Sequence, residues 1–329
     1  MKTLYFTLCS NNYLPFAFSL EKSLRCNCPD IQFIIGLVDL KDEKINYDEV
    51  SQSLILPCFD LGYQEFDDML TRYNVIEFNT AVKPFYFEYL FEKFKDVDAI
   101  YYLDPDLYFY QSPSLMDTYW GVNEIMLTPN QISLPNKTTT GELASLRHGI
   151  NNLGFIGIKR GVQGVGLISW WKERLTNYCK IDKCKGIFVD QKWIDLAPLY
   201  FDQIKSIKNF GWNMAWWNFS ERELILKGNT YYVNSTEWPL LFFHFSGFKP
   251  GNKNATERLE KREFEILDNS ILQKFFADYA EKLRQNDYDY LSKLKPKLKF
   301  YQEPSKKKHR FGRFIKSKFN NLIFRIFKV

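Results

Sequence analysis

Short apolar runs separated by polar turns dominate the first hundred residues of the chain. Buried strands are predicted from these runs at residues 3–8, 31–38 and 99–103. Between the first two runs, an amphipathic segment places Phe16, Leu20 and Leu24 on one face of a helix. A strand, a polar turn, a helix and a second strand are typical of a parallel α/β sheet. The pattern therefore predicts an α/β domain in which helices flank a mixed, mostly parallel sheet.

The middle of the chain continues with strand and helix patterns in turn. Further strands are predicted at residues 53–57, 107–110, 125–127, 151–158 and 240–245. An aromatic helix is predicted at residues 85–94, and a second helix contains Trp170 and Trp171. Residues 128–147 are polar, and their number predicts a flexible loop that covers a site.

The apolar run at residues 99–103 ends in two carboxylates that flank a proline, Asp104-Pro105-Asp106. Proline provides no backbone N–H to a sheet, so both aspartates are expected just beyond the carboxyl end of the strand. Ligands of open α/β sheets bind at that edge. Two close carboxylates there suit Mg²⁺ or Mn²⁺, which also bind phosphate oxygens. An isolated pair of this kind is more often a solvated acidic turn, so the metal site depends on partners elsewhere in the chain.

Other residues suited to binding a metal ion or a phosphate occur where predicted strands end or helices begin. His244 lies in an apolar strand and is followed within five residues by Gly247 and Lys249, a combination suited to a metal site and a diphosphate. Lys83 precedes the aromatic helix, where an anion would meet a cation and the amides of a helix N-terminus. Gly154, inside a predicted strand, indicates close backbone approach to a ligand or to a packed helix.

Charge is distributed unevenly along the chain. Of its 329 residues, 45% are hydrophobic, which is enough for the core of one large domain. Residues 305–329 contain nine of the 44 Lys and Arg residues and none of the 39 Asp and Glu residues, so residues 1–304 carry a net charge of −4. A mildly acidic body argues against binding to nucleic acid.

Cysteine usage and the N-terminal sequence predict a cytoplasmic protein. The six cysteines show no C-x-x-C spacing, which predicts free thiols in a reducing compartment. We find no pattern of a secretory signal and no apolar run long enough to span a bilayer.

Four motifs follow one another in residues 3–250: Asp104-Pro105-Asp106, Asn152-Leu153-Gly154, Asp190-Gln191 and His244-x-x-Gly247-x-Lys249-Pro250. In this order they resemble glycosyltransferase family 8. The members of that family are retaining enzymes of the GT-A fold, a Rossmann-like fold of nucleotide-diphospho-sugar transferases, and they use a nucleotide sugar and Mn²⁺. The segments 190–193, 211–213 and 244–248 also look like a bacterial branch of glycosyltransferases linked to surface polysaccharides.

The resemblance implies a role for each matching residue. The implied ligands of Mn²⁺ or Mg²⁺ are Asp104, Asp106 and His244. The implied contacts of the nucleotide and its diphosphate are Thr7, Asn12, Tyr13, Lys83, Gly247 and Lys249, with Lys83 in the place of a family arginine. The implied contacts of the donor sugar are Asn152, Gly154, Asp190 and Gln191. Of these, Gln191 and Asp190 are the catalytic candidates, and Gln191 would lie close to the anomeric carbon.

The expected reaction moves a sugar from a nucleotide-diphosphate sugar, most simply a UDP-sugar, to a hydroxyl of a glycan or lipid-linked acceptor in polysaccharide synthesis. A divalent ion and Lys249 would stabilise the charge of the departing diphosphate. Gln191 or Asp190 would stabilise an oxocarbenium-like sugar from its other face. The His244 motif favours retention, by same-face attack of the acceptor or through a transient covalent adduct. Inversion with Asp190 as the general base stays open. Two other functions also stay open: a catalytically silent nucleotide-sugar-binding membrane scaffold, and a metallophosphohydrolase.

Three segments are expected along the chain. They are a catalytic domain at residues 1–250, a helical appendage at residues 251–304 and a basic tail at residues 305–329. In the tail, Phe and Ile recur at roughly helical spacing among Lys and Arg, which predicts a helix lying on an anionic membrane surface. A helix docked on the protein itself and a disordered basic tail are the alternatives. The membrane interpretation places the protein at the inner face of the cell membrane, beside a lipid-linked acceptor.

Overall fold

A computed structural model describes residues 1–134, 140–251 and 270–302. Its strands are β1 (Thr3–Cys9), β2 (Phe33–Leu37), β3 (Leu54–Pro57), β4 (Ala99–Leu103), β5 (Leu107–Phe109), β6 (Ile125–Pro129), β7 (Asn151–Lys159), β8 (Ile181–Asp182), β9 (Ile187–Phe188), β10 (Ile204–Ser206), β11 (Met214–Ala215), β12 (Leu224–Lys227), β13 (Thr230–Val233), β14 (Ser235–Pro239) and β15 (Phe242–His244). Its helices are α1 (Leu14–Asn27), α2 (Tyr47–Val50), α3 (Glu65–Arg72), α4 (Val75–Ala81), α5 (Lys83–Lys93), α6 (Thr140–His148), α7 (Val162–Tyr178), α8 (Gln191–Ile194), α9 (Ser270–Arg284) and α10 (Tyr288–Leu291).

The central sheet has seven strands in the order β10-β6-β7-β4-β1-β2-β3. Strand β1 pairs in parallel with β2 and with β4. Strand β2 also pairs in parallel with β3, and β6 pairs in parallel with β10. Strand β7 runs antiparallel to both of its neighbours, β4 and β6. The sheet is therefore mixed and mostly parallel, with helices against it, and the expected α/β class is confirmed.

The packing on the two faces of β4 explains why its sequence is apolar at every position. Ile100 and Tyr102 contribute to the core formed with α4, α5 and α7, whereas Ala99, Tyr101 and Leu103 contribute to the core formed with α1. All five residues are buried. Because side chains alternate between the faces of a strand, a strand covered on both faces needs an uninterrupted apolar run.

A second, three-stranded sheet in the order β11-β15-β5 adjoins the carboxyl end of β4. Strand β5 follows β4 after only three residues and pairs antiparallel with β15, which places His244 opposite Leu107. The edge strand expected at residues 107–110 is thus present, but it belongs to this second sheet. Strands β12, β13 and β14 form a separate antiparallel meander.

The expectation of a polar loop over residues 128–147 is wrong for part of that segment. Strand β6 extends to Pro129, and α6 occupies Thr140–His148. The helix has a weak amphipathic pattern, and Leu143 and Leu146 are exposed. Its sequence therefore gave no clear apolar stripe to indicate a helix.

Residues 270–302 lie against the sheet domain. On α9, the ring of Tyr279 stacks on that of Phe245, with 3.6 Å between centroids. Asn286 donates to the hydroxyl of Ser19 on α1 at 2.7 Å. The buried carboxylate of Asp39, just after β2, accepts the backbone N–H groups of Lys297 and Leu298 at 2.8 and 3.1 Å.

The proposed boundaries of the three segments stay a prediction. The tail at residues 305–329 lies outside the described residues. Within the described part of the chain, no helix is both long enough and apolar enough to cross a bilayer.

Candidate metal and nucleotide-sugar site

Asp104 and Asp106 occupy the turn between β4 and β5. The backbone N–H of Asp104 donates to the carbonyl of Gly154 at 2.7 Å, so β4 and β7 stay paired as far as this residue. Phe245, immediately after β15, donates its N–H to the carbonyl of Asp106 at 2.9 Å. The two aspartates are therefore held by both sheets at the edge where the parallel strands end.

His244 meets the two aspartates from the end of β15. Its Nε2 lies 3.1 Å from Asp106 Oδ1 and 3.7 Å from Asp104 Oδ2. One donor atom from each of these three side chains lies within 4.8 Å of the other two. We call this set, Asp104, Asp106 and His244, the metal triad.

The surroundings of His244 Nδ1 fix the role of its Nε2. Nδ1 faces two side-chain oxygens, Asn152 Oδ1 at 3.2 Å and Asn213 Oδ1 at 3.3 Å. Both oxygens can accept the N–H of Nδ1, which leaves Nε2 as the nitrogen that faces the carboxylates and could bind an ion held between them. Metal-binding histidines are commonly held in this way, through the nitrogen that does not bind the metal.

The donor set fits a divalent cation such as Mn²⁺ or Mg²⁺. Two carboxylates and one imidazole nitrogen converge, and Asp106 and His244 are almost fully buried. Burial opposes protonation of His244, but the Asp106 and Asp104 carboxylates raise the pKa of its imidazole above the ordinary value. The negative field that holds a proton on this ring also attracts a cation.

Gly154 leaves the space in which the triad converges. A Cβ atom at this position would lie 2.4 Å from His244 Cε1 and 2.9 Å from Asp104 Oδ2. The glycine that the sequence analysis associated with close backbone approach is therefore packed against two members of the triad.

Lys83 and Asp190 form a buried ion pair beside the triad. Lys83 Nζ lies 2.8 Å from Asp190 Oδ2 and 3.8 Å from Asp104 Oδ1, and it donates to the carbonyl of Leu153 at 3.0 Å. Burial opposes the charge of Lys83, but the Asp190 and Asp104 carboxylates raise the pKa of its ammonium above the ordinary value. Burial raises the pKa of the Asp190 carboxyl, and Lys83 opposes that shift.

Gln191 lies at the start of α8 and binds the end of α6. Its Nε2 donates to the carbonyl of His148 at 2.9 Å. The intervening Gly149 has a φ of +117°, and a Cβ there would lie 3.0 Å from Gln191 Cγ. The position of Gln191 therefore depends on a helix that the sequence analysis missed.

The residues expected at the nucleotide differ in exposure. Thr7 on β1 is fully buried, and its hydroxyl has no hydrogen-bond partner among the described residues. Asn12 accepts from the hydroxyl of Ser10 at 2.7 Å, and Tyr13 stacks on Phe16. Burial, with smaller effects of Asp106, Tyr288 and Asp104, raises the pKa of Tyr13 to about 12.

Gly247 and Lys249 follow the triad histidine on exposed backbone. Gly247 has a φ of +70°, a conformation that favours glycine. Neither residue contacts the triad through a described hydrogen bond or ion pair, and their role at a diphosphate stays a prediction.

Three residues that the sequence analysis did not assign to the site contact the triad. Asn213 lies in the segment 211–213, which was noted only as part of a resemblance. The hydroxyl of Tyr102 donates to Asp104 Oδ1 at 2.5 Å, and the ring of Trp217 meets that of His244 edge-on, 5.0 Å between centroids. Tyr102 was read as a core residue of β4, and its hydroxyl was the only signal of another role.

Comparison with known proteins gives distant likenesses. No family model matches the sequence. YfnF of Bacillus subtilis (strain 168), itself described as uncharacterised, is 25% identical over 264 residues, which cover 79% of this chain and 86% of YfnF.

Two solved glycosyltransferases are among the structures that resemble this chain. The galactosyltransferase LgtC, solved with donor and acceptor sugar analogues, is 16% identical with a TM-score of 0.46, covering 78% of this chain and 94% of LgtC. The apo form of the glycosyltransferase GlyE from Streptococcus pneumoniae TIGR4 is 15% identical with a TM-score of 0.49, covering 88% of this chain and 64% of GlyE. Neither likeness by itself assigns an activity to this chain.

Proposed function

We propose that this chain is a metal-dependent glycosyltransferase of the GT-A fold that uses a nucleotide-diphosphate sugar. The observation that carries the proposal is the metal triad at the edge of the sheet where β1, β2 and β4 end. A divalent ion bound there would supply positive charge to the diphosphate leaving group. UDP-sugars are the donors that we expect.

The buried pair beside the triad supports a site for an anionic ligand. Lys83 brings a fixed positive charge to within 3.8 Å of Asp104, close to where the phosphate oxygens would lie. Gly247 and Lys249 would bind the same diphosphate from the segment after β15. Thr7, Asn12 and Tyr13 would contact the nucleoside from β1 and the start of α1.

The donor sugar would lie between the triad and α8. In the reaction, the bond from the anomeric carbon to the diphosphate oxygen breaks, and that oxygen keeps the electron pair. The oxygen of the acceptor hydroxyl then bonds to the anomeric carbon from the same face, and its proton passes to the departing diphosphate oxygen. The side-chain oxygen of Gln191 would stabilise the oxocarbenium-like sugar, and Asn152, Gly154 and Asp190 would line its pocket.

Retention of configuration is the outcome that we expect. Asp190 is 3% exposed, and one of its oxygens is engaged by Lys83 at 2.8 Å. A carboxylate held in a buried ion pair is a poor candidate for the general base that inversion requires. The anomeric configuration of the product, read by proton NMR, tests this expectation.

The acceptor is proposed to be a glycan or lipid-linked hydroxyl in cell-surface polysaccharide synthesis. The basic amphipathic sequence of residues 305–329 supports a location at the inner face of the cell membrane. Vesicles with and without anionic lipid, sedimented with the full chain and with a chain ending at residue 304, test this location.

The experiment that tests the activity is a panel of UDP- and GDP-sugars added to the purified protein with Mn²⁺. Ligand-induced thermal shift is measured for the wild type, Asp106→Ala and His244→Ala, with Asp68→Ala on the exposed face of α3 as the matched control. Stabilisation by one donor that is lost with EDTA and in both triad variants, but not in the control, supports the proposal.

Two results would contradict the proposal. Stabilisation that survives both triad substitutions would remove the metal assignment. Metal-dependent binding without transfer to any glycan acceptor would favour the silent nucleotide-sugar-binding scaffold.

A further inference from the structure

Asn213 is one of the three residues that contact the triad and to which the proposed function gives no role. It is 1% exposed, and its φ of +53° lies in the left-handed region, which asparagine adopts more readily than most residues. The backbone around it is fixed by buried polar contacts. The guanidinium of Arg222 donates to the carbonyl of Trp212, and Asn218 Nδ2 donates to the carbonyl of Asn213 at 3.0 Å.

The side chain of Asn213 joins Thr128 and Asn152 in a hydrogen-bonded set that we call the amide relay. Asn213 Nδ2 donates to Thr128 Oγ1 at 2.9 Å and to Asn152 Oδ1 at 3.1 Å. Asn152 Oδ1 also accepts the N–H of Gly154 at 3.1 Å. Because both amide hydrogens of Asn213 are used, its orientation is fixed and its oxygen points to His244 Nδ1.

The relay presents only acceptors to Nδ1 of His244. A ring held in this way donates from Nδ1 and turns Nε2 toward Asp104 and Asp106, where it could bind an ion held by the two carboxylates. Without the relay the imidazole could turn about its χ2 angle. That turn would take Nε2 away from the metal position.

We propose that Asn213 is a positioning residue that fixes the ring orientation of His244 for a divalent ion. The proposal rests on the metal site of the proposed function and makes the amide relay part of it. Asn152 then has a second task beyond the donor sugar: its oxygen is shared between the relay and the histidine. Outer contacts of this kind typically change metal affinity by about 10–100-fold when they are removed.

The choice of variant follows from the backbone. Asn213→Gly removes the amide and tolerates the positive φ without strain. Asn209→Ala is the matched control. Asn209 lies four residues earlier, and its side chain donates to the hydroxyl of Tyr119 and accepts the backbone N–H of Gly211, without a described contact to His244.

The test follows His244 directly by long-range proton–nitrogen NMR of protein labelled with ¹⁵N-histidine. The chain has only three histidines, and the His244 signals are assigned by their absence from His244→Gln. Spectra are recorded at one pH, without metal and with Mg²⁺, a diamagnetic ion, at a concentration that saturates the wild type. We expect Mg²⁺ to shift the Nε2 signal of His244 in the wild type and in Asn209→Ala, and to shift it much less in Asn213→Gly.

Mn²⁺ affinity, measured by electron paramagnetic resonance, is the second readout. Asn213→Gly should bind Mn²⁺ about 10–100-fold more weakly, whereas the control should not change. A wild-type His244 whose Nε2 signal does not respond to Mg²⁺, or an Asn213→Gly protein with unchanged response to Mg²⁺ and unchanged Mn²⁺ affinity, overturns the proposal.

Neither readout depends on a sugar. If the response of His244 to Mg²⁺ and the Mn²⁺ affinity change as expected while no donor is turned over, the relay stands and the transferase function fails. If the wild type binds no Mn²⁺, both fail.

Discussion

Gly154 determines how closely β7 can approach the metal triad. Alanine at this position would place a methyl group 2.4 Å from His244 Cε1, a distance that only displacement of the ring or of β7 can relieve. We therefore expect Gly154→Ala to weaken Mn²⁺ binding by about 10–100-fold, as for other changes that displace a metal ligand. Calorimetric titration with Mn²⁺ checks this.

The control for that variant is Gly166→Ala on α7. A Cβ there would meet only Phe201 Cε1, at 3.3 Å, and alanine is the better helix former. Equal Mn²⁺ affinities of wild type and Gly154→Ala would show that the triad does not bind the ion.

Lys83 is expected to contribute strongly to stability because its buried ammonium pairs with Asp190 and also lies 3.8 Å from Asp104. Lys83→Met leaves Asp190 without its cation at 3% exposure. Breaking a buried pair by removal of one partner costs about 3–5 kcal/mol, and urea unfolding would show this decrease in the free energy of unfolding. Lys274→Met breaks an exposed pair with Asp278 on α9 and should give no measurable change. Similar unfolding midpoints for the two variants would contradict the prediction.

At the scale of elements, α6 and α8 form one unit through Gly149 and Gln191. Gly149→Ala would force a strained φ and bring Cβ to 3.0 Å from Gln191 Cγ, so Gln191 should move. We expect transfer to fall by about tenfold or more, since a displacement on the order of 1 Å at a reacting centre has effects of that size or larger. Mn²⁺ binding should stay unchanged, because the triad belongs to other elements.

Gly228→Ala provides the comparison for that prediction. Gly228, between β12 and β13, also has a positive φ, +61°, but a Cβ there would contact nothing. This variant should lose about 1–2 kcal/mol of stability and no transfer activity. Initial rates of transfer and Mn²⁺ affinity are measured for both variants. A lower rate in Gly149→Ala alone would be due to displacement of Gln191, because both variants have backbone strain.

Local sequence predicted several elements of the site and could not predict their arrangement. The proline between Asp104 and Asp106 fixed the end of β4, because its chemistry acts within one residue. The direction of β7 is a property of the whole sheet, so the apolar run at 151–158 did not reveal that its first residues, rather than its last, reach the site. Pairing of β5 with β15 brings residues 106 and 244 together, and no local pattern encodes a contact over that separation.

Side-chain partners were still harder to predict. Asn213 joins the site through Thr128, Asn152 and His244. These four residues lie on different segments of the chain. Lys83 was expected at a phosphate, and its buried contact with Asp190 is visible only when α5 and α8 are packed. Each of these depends on distances that exist only in the folded chain.

At the scale of the whole molecule, Asp39 attaches the segment after α10 to the end of β2. Its buried carboxylate accepts from Asn11, Leu40, Lys297 and Leu298. Asp39→Ala leaves these donors without their acceptor, which should lower the free energy of unfolding by about 2–4 kcal/mol. Hydrogen exchange should show lost protection at residues 297 and 298, with β4 still protected.

Asp60→Ala, an exposed aspartate after β3, is the control for Asp39→Ala. Unchanged exchange at residues 297 and 298 in Asp39→Ala would mean that other contacts hold this segment.

The contact between Asp39 and Leu298 also has a consequence for the synthesis of the chain. Asp39 and Leu298 are 259 residues apart. At about 5–20 residues per second, a ribosome that has made Asp39 delivers Leu298 roughly 13–50 s later. For most of that interval β1, β2 and α1 have left the exit tunnel, whereas residues 270–302, which contact Asp39 and Phe16, have not been made. The nascent chain should therefore bind chaperones until residues 270–302 emerge, and ribosome-bound chains stalled before residue 270 should be far more sensitive to protease than the released protein.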